Sequence, residues 1–380
     1  MPIQPDPLTA IIGFILLIGV IVVVHEYGHY LAGRVFGAAI DSFAVGFGPT
    51  LLSRTDKRGT NWKLNALPLG GFVSFVAEQG EDATERQKAL PGKRYPDLTP
   101  YERIGVAVAG PFANFIFAAL VFAGFALVNG VALERLPIQA VQDNSPAEAA
   151  GFLPGDVLLS AEGETLRTFN DLSSVIQLSA GTPLDIEVER DGSSMVLTVI
   201  PERRTVVNEL GIEADVGMMG IELERVSLEI ERLNPIEALG SGIDRTADTT
   251  ALMVRALWRV ATGRESIEQM AGPVGIADLA GRVVKTQTGG EDQSVFEALL
   301  AAGLALLAFS AVLSIGVGLF NLLPLPVLDG GHVVFCTIEA IRGQPVSEKV
   351  QQAAFSASIV LLIGFALVVT VNDIQRIVSP

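Results

Sequence analysis

The amino-acid sequence predicts a polytopic α-helical membrane protein. It has four transmembrane helices, a re-entrant β-hairpin between the first two, and an α+β domain inserted on the outer side of the bilayer. Three observations predict this. Charged residues make up 18% of the 380-residue chain and hydrophobic ones 49%, with a mean hydropathy of +0.46; an ordinary soluble domain carries about 25% charged residues. Four stretches free of charge are long enough to cross a bilayer, which takes about 20 apolar residues. Charge is also segregated, with 13 Lys/Arg against 28 Asp/Glu in 131–300 and 10 against 8 in 34–103.

The uncharged stretches are 7–24, 104–133, 298–328 and 350–372. The first is a minimal span, and with no Lys or Arg before it, it does not read as a cleaved signal peptide. A fifth stretch, 64–77, is too short to cross. Pro68, Gly70 and Gly71 separate its two apolar runs, which predicts a β-hairpin dipping into the membrane. Non-helical backbone is tolerated there only where protein buries it or it lines a wet cavity.

Arg34, Arg54, Lys57 and Arg58 follow the first span, so the positive-inside rule makes 34–103 cytoplasmic. The amino terminus, the long acidic loop and the carboxy terminus are then extracytoplasmic. The formal charge of −16 lies almost wholly in that loop. It excludes a nucleic-acid binder, whose phosphate contacts need a basic face. The lone Cys336 excludes a disulfide framework and a Cys-rich zinc site.

Four segments follow: 1–133, the first membrane half; 136–204, an α+β domain; 205–297, an outer connector; and 298–380, the second membrane half. In the domain, Asn144-Ser145-Pro146 and Gly151 start and stop a short helix, and Asn170 caps another through Ser179. Leu184 to Glu189 alternates with period two, and Asp191-Gly192 turns into a partner strand over 195–200. In the connector, 235–263 has a helical apolar pattern but too many charges to span, which suits an amphipathic surface helix or a packed one.

The chemistry gathers at His25-Glu26-Tyr27-Gly28-His29, at the inner end of the first span. Residues four apart share a helix face. Two imidazoles can then hold one Zn²⁺, and the intervening carboxylate can take a proton from the attacking water. Ionisable groups inside a membrane are costly and functional by default. A third ligand is needed at similar depth. Asp329 is the only carboxylate between Glu297 and Glu339, and it follows a segment that Pro324 and Pro326 free from helical geometry. His332, three residues on, is the rival ligand. The competing class is a non-catalytic membrane scaffold with a structural metal. Glu26 argues against it, since a structural site has no use for a base.

The run at 149–156, Ala-Ala-Gly-Phe-Leu-Pro-Gly-Asp, and the order of elements around it resemble a bacterial protease-type PDZ domain. That implies capture of a peptide end by strand addition; the plain alternative is a spacer or steric lid. The chain as a whole resembles the site-2 protease family of intramembrane zinc metalloproteases, and within it the bacterial regulator-of-sigma-E type in a single-PDZ form. The likeness rests on the pentad at 25–29, Leu-Pro-Leu-Gly-Gly-Phe-Val at 67–73 and Ala-Gly-Pro-Phe-Ala-Asn-Phe at 109–115. It rests also on Gly-Pro-Val-Gly-Ile at 272–276, the run from Asn321 to His332, and 339–348.

The resemblance implies zinc on His25, His29 and Asp329, with Glu26 as catalytic base. It implies that Asn321 contacts substrate or its oxyanion, and that the hairpin, with Gly70, Gly71 and Phe72, holds the substrate as an extended strand. It further implies a bacterial inner-membrane enzyme with its site near the cytoplasmic side. Its partners would be the lipid bilayer and single-span membrane substrates, such as an anti-sigma factor trimmed by a site-1 protease or a signal-peptide remnant.

Overall fold

The computed structural model describes residues 6–76, 87, 89–166, 168–207, 213–224, 226–263, 271–288 and 294–378. Among them, four helices are long and apolar enough to cross a membrane. Helix α1 (Pro7–Val35) starts at Asp6, whose carboxylate accepts the Thr9 amide, and runs past the uncharged stretch to carry the His-Glu pentad in its last third. Helix α2 (Pro100–Asn129) starts on a capping box of Thr99 and Glu102. It stops at Gly130, whose φ of 74° turns the chain out of the helix. Residues 131–133, expected in the second span, therefore open a strand instead.

Between these helices lies a small antiparallel sheet made of β1 (Ile40–Thr55) and β2 (Asn61–Phe75). Both strands bend, so the sheet has four strand segments. The first half of β1 is flanked on one side by Gly71–Phe75 (Val45 against Gly71, Ile40 against Phe75) and on the other by the start of β2 (Phe43 against Trp62). The second half of β1 pairs with the outer side of that start (Arg54 against Trp62). The expected hairpin at 64–77 differs in its pairing: its two arms sandwich the first half of β1 and do not pair with each other. The apolar alternation of the arms does not encode their partner. Residue 77 lies outside the described residues. The sheet runs along α1: Arg34 bonds Thr60 near the helix end, and a Cβ on Gly71 would lie 3.5 Å from Val22. Tyr30, Phe43 and Trp62 pack edge to face between sheet and helix.

The α+β domain is built on a seven-stranded sheet: β3 (Val131–Val141), β4 (Val157–Ala161), β5 (Glu164–Thr165), β6 (Leu184–Arg190), β7 (Ser193–Val199), β10 (Ile221–Leu223) and β11 (Val226–Glu231). The strand order is β10-β3-β4-β6-β7, with β11 also on β3 and β5 on β4. Helices α3 (Pro146–Ala150) and α4 (Phe169–Leu178) close a core of Leu136, Phe152, Leu172, Leu184, Ile186 and Val188. Two expectations change. The sheet extends beyond 204, because β10 and β11 return to β3; the alternation of Val226–Glu231 suits a strand but does not name its partner. The cap of α4 is Thr168, boxed with Asp171, in place of Asn170. A separate hairpin, β8 (Glu202–Val207) with β9 (Glu213–Met218), precedes β10.

Helix α5 (Pro235–Ala261) realises the helical pattern of 235–263 and packs on α2, with Gly242 seated against the backbone at Ala119 and Ala123. Helix α6 (Pro273–Thr288) lies along α1, where Ala280 meets Leu17 and Ile21. Helix α7 (Val295–Asn321) ends in an irregular turn before α8 (Asp329–Arg342), and α9 (Glu348–Val378) completes the chain. The buried Asp373 ties α9 to α6 by accepting the amides of Gly272 and Gly275 at 3.1 and 2.8 Å.

Candidate metal centre

Three donor atoms converge at the inner end of α1. His25 Nε2 and His29 Nε2, one turn apart, lie 3.1 Å from each other. Asp329 Oδ2 lies 3.1 Å from the first and 3.5 Å from the second. Donors about 2.0–2.1 Å from a tetrahedral zinc stand about 3.3–3.4 Å apart, so the three separations fit that ion. The chemistry of the set fits as well. Asp329 Oδ2 is buried without a hydrogen bond, and with both rings in their ligating tautomer three lone pairs face one another. A bound metal cation relieves that arrangement. Among the described residues this is the one group of three or more His, Cys, Asp or Glu with donor atoms so close.

Small residues make the convergence possible. Gly28 lets α1 approach α2, since a Cβ there would strike the Ala109 carbonyl and the Ala113 side chain. Gly110 leaves room for the His29 ring, which any side chain would overlap. That ring is then fixed by Val106, whose carbonyl lies 2.7 Å from Nδ1. A carbonyl only accepts, so Nδ1 carries the proton and Nε2 presents its lone pair inward.

Asp329 is the first residue of α8, where the helix dipole favours a carboxylate. The two glycines after it are steric necessities: Cβ atoms on Gly330 and Gly331 would enter the carbonyls of Leu322, Leu323 and Leu325. Arg103 of α2 pairs with Glu339 of α8 at 2.5 Å and anchors that helix.

Glu26 points from the same helix turn to the edge of the sheet, where Oε2 accepts the Val73 amide at 3.0 Å. Alternate residues of a strand turn both backbone groups to one edge, so the Val73 carbonyl faces this side too. A cavity of about 400 Å³ opens over the donors, with Glu26, Val73, Phe75, Tyr95, Asn321 and His332 in its wall.

His25, Glu26, His29 and Asp329 are thus brought together. His332 is exposed in the cavity wall, outside the donor triad. Asn321 lines the cavity, but its amide donates to its own helix at Val317 O, 3.0 Å away; it must rotate to meet a ligand. Gly70, Gly71 and Phe72 sit on the strand leading to Val73 and are not among the cavity's lining residues. Gly70 (φ 84°) faces Phe47, on which Phe72 stacks. From the sequence, Val73 falls in the stretch expected to hold substrate and Gly110 and Asn114 in a motif of the family resemblance, but no individual role followed for Val106, Gly110 or Asn114, the last fully buried beside His25. Asn114 carried a signal, as one of two amide side chains in the uncharged stretch 104–133.

Comparison with known proteins identifies the family. The profile of the family described as "Peptidase family M50" matches residues 13–365. Metalloprotease MmpA of Caulobacter vibrioides is 35% identical over 97% of this chain and 96% of its own length. Zinc metalloprotease RasP of Oceanobacillus iheyensis is 28% identical over 97% of this chain and its own full length. A profile match over nearly the whole sequence, with relatives matched end to end, places this chain in peptidase family M50, the site-2 proteases, as a zinc metalloprotease.

Proposed function

We propose that this metalloprotease hydrolyses a peptide bond within or near the transmembrane helix of single-span membrane proteins, the class that includes anti-sigma factors already trimmed by a site-1 protease and signal-peptide remnants. His25, His29 and Asp329 hold the zinc, Glu26 is the base, and the β1–β2 sheet is a re-entrant element. The observation that carries this reading is the Glu26–Val73 hydrogen bond, because it sets the base against the free edge of a strand inside the bundle. An apolar groove of about 600 Å³ between α5, α7 and α9 supports an apolar, helical substrate. Leu257, Phe320 and Phe365 line it, and it meets the metal cavity at Asn321.

Bound zinc supplies a Lewis acid that activates water and polarises the scissile carbonyl. The chain's own residues do the rest. A transmembrane helix hides its carbonyls in its own hydrogen bonds, so the substrate must unwind locally. The edge of Gly71–Phe75 then offers backbone partners by strand addition. Glu26 takes the proton of the attacking water on a carboxylate oxygen and passes it to the leaving nitrogen. Asn321, released from Val317 O, donates its amide to the developing oxyanion.

The domain over 131–231 acts as a PDZ-type module on the extracytoplasmic side, and the metal centre lies toward the cytoplasmic face of the bacterial inner membrane. Replacing the domain with a short linker separates filter from dock: loss of a filter lets untrimmed substrates be cut, whereas loss of a dock slows every cleavage. The reading is tested with a single-span substrate reconstituted beside the enzyme. Helix-breaking Gly or Pro near the scissile bond should raise the rate, and an unchanged rate across such a series would remove strand addition from the account.

A further inference from the structure

The two metal-site histidines need the same preparation, and the structure makes it obvious for only one. His29 has its Nδ1 against a main-chain carbonyl, which sets the tautomer. His25 Nδ1 instead faces the side-chain amide of Asn114, at 3.3 Å from Nδ2. Asn114 is fully buried in α2, and its Oδ1 has no hydrogen-bond partner. A buried amide oxygen without a donor is a costly feature inside an apolar helix.

The two ends of an amide have the same shape and opposite polarity. Turned by 180°, the Asn114 side chain places Oδ1 against His25 Nδ1. The orphan oxygen then accepts the Nδ1–H, and Nε2 is left with a lone pair for the site. One rotation gives the amide oxygen a donor and the His25 ring an acceptor. The turn of α2 that carries Asn114 is itself held: Ser314 of α7, also fully buried, donates its hydroxyl to the Asn114 carbonyl at 3.2 Å.

We propose that Asn114 is a positioning residue that fixes the ligating tautomer of His25, as the Val106 carbonyl does for His29. Three helices then meet at one ring. Helix α1 supplies the imidazole, α2 the acceptor that orients it, and α7 the hydroxyl that holds the acceptor's backbone. The sequence around Asn114 also acquires a complete reading. Ala109 and Ala113 receive Gly28, Gly110 clears the His29 ring, and Asn114 orients His25. The inference rests on the assignment of His25 as a zinc ligand, so the test separates the two.

The test uses the full-length protein and zinc alone, titrated against a chromophoric chelator, with no substrate. Asn114→Leu keeps the size and removes the acceptor; Asn114→Asp keeps an acceptor oxygen. Loss of an outer hydrogen bond to a metal-binding histidine costs about 10–100-fold in metal affinity. Asn114→Leu should therefore weaken zinc binding by about that factor, and Asn114→Asp should restore most of it. With only three histidines in the chain, ring ¹⁵N spectra also read the tautomer directly. His25 should carry its proton on Nδ1 in the wild type and lose that preference in Asn114→Leu. Wild-type zinc affinity in Asn114→Leu overturns the proposal, even if its unfolding temperature falls, because a merely structural amide would act that way. An unchanged His25 tautomer in that variant overturns it too. His25→Ala is the control. If it binds zinc like the wild type, His25 is no ligand and the site assignment itself fails.

Discussion

Asp156 in the outer domain and Asp329 at the metal centre are both carboxylates set into the interior, and their surroundings differ in kind. Asp156 is 1% exposed and complete. Arg190 grips both of its oxygens at 2.7 Å, and the Leu153 amide donates at 2.8 Å. The guanidinium holds the Asp156 carboxyl below its ordinary value, and Arg190 binds on to the Gly151 carbonyl. Asp373, fed by two backbone amides, follows the same pattern. Asp329 has an oxygen with no donor and two imidazole nitrogens in its place. A carboxylate whose partners are all in the chain serves the fold. One whose partners are lone pairs is half of something, and the missing half is a cation.

The sharpest way to break this comparison is at Asp329. Asp329→Asn should abolish zinc binding and proteolysis while leaving the outer domain's unfolding unchanged; a variant that keeps its zinc would make Asp329 a second Asp156. Next comes Glu26→Gln. It should lower the rate by about 10²–10⁴-fold, the usual worth of a general base, with zinc still bound. A membrane scaffold with a structural metal would instead keep its function. Gly110→Ala should follow, displacing the His29 ring. Zinc affinity should fall, and Gly28→Ala should fall with it, because it forces α1 away from α2.

On the other side of the comparison, Asp156→Ala takes away the carboxylate that Arg190 grips and leaves it only the Gly151 carbonyl. Asp156 accepts two guanidinium bonds and the Leu153 amide, so its loss should lower the protection of β6 and β7 from hydrogen exchange while zinc affinity stays the same. The smallest effect is in pH. Asp156 titrates lower when folded than unfolded. Its contribution is therefore fully present above the ordinary aspartate range, near pH 4, and is lost as pH falls through the depressed folded value. Exchange protection in the outer domain should be flat from neutral pH to about 5 and decline below 4, less steeply in Asp156→Asn.

The two regions also differ in how much of them the sequence discloses. The helical period sets His25 and His29 on one face, and the scarcity of carboxylates beyond Glu297 singles out Asp329; both facts are local or countable. The capping box at Thr99 and the turn at Asp191-Gly192 are local as well. What stayed hidden is pairing across space. The arms of 64–77 share one alternation whichever strand they join, so nothing in them names Ile40–Val45 as the partner. Strand β10 has only three residues, and the alternation of β11 does not name β3 as its partner. Val73 enters the site through its backbone, and Val106 through its carbonyl, where residue identity carries no signal. Asn114 was visible as an amide in an apolar helix, but its role depends on His25 lying 89 residues earlier in the chain.

The central claim is that Asp329 and the two histidines of α1 share one zinc. X-ray absorption at the zinc edge of the purified full-length protein reads the donor set directly. The account predicts two imidazoles with light O/N donors at about 2.0–2.1 Å and no sulfur. One imidazole should be lost in His25→Ala, Asp329→Asn should hold no zinc at this site, and both imidazoles should be retained in His332→Ala. A spectrum that loses an imidazole in His332→Ala, or is unchanged in Asp329→Asn, would contradict it.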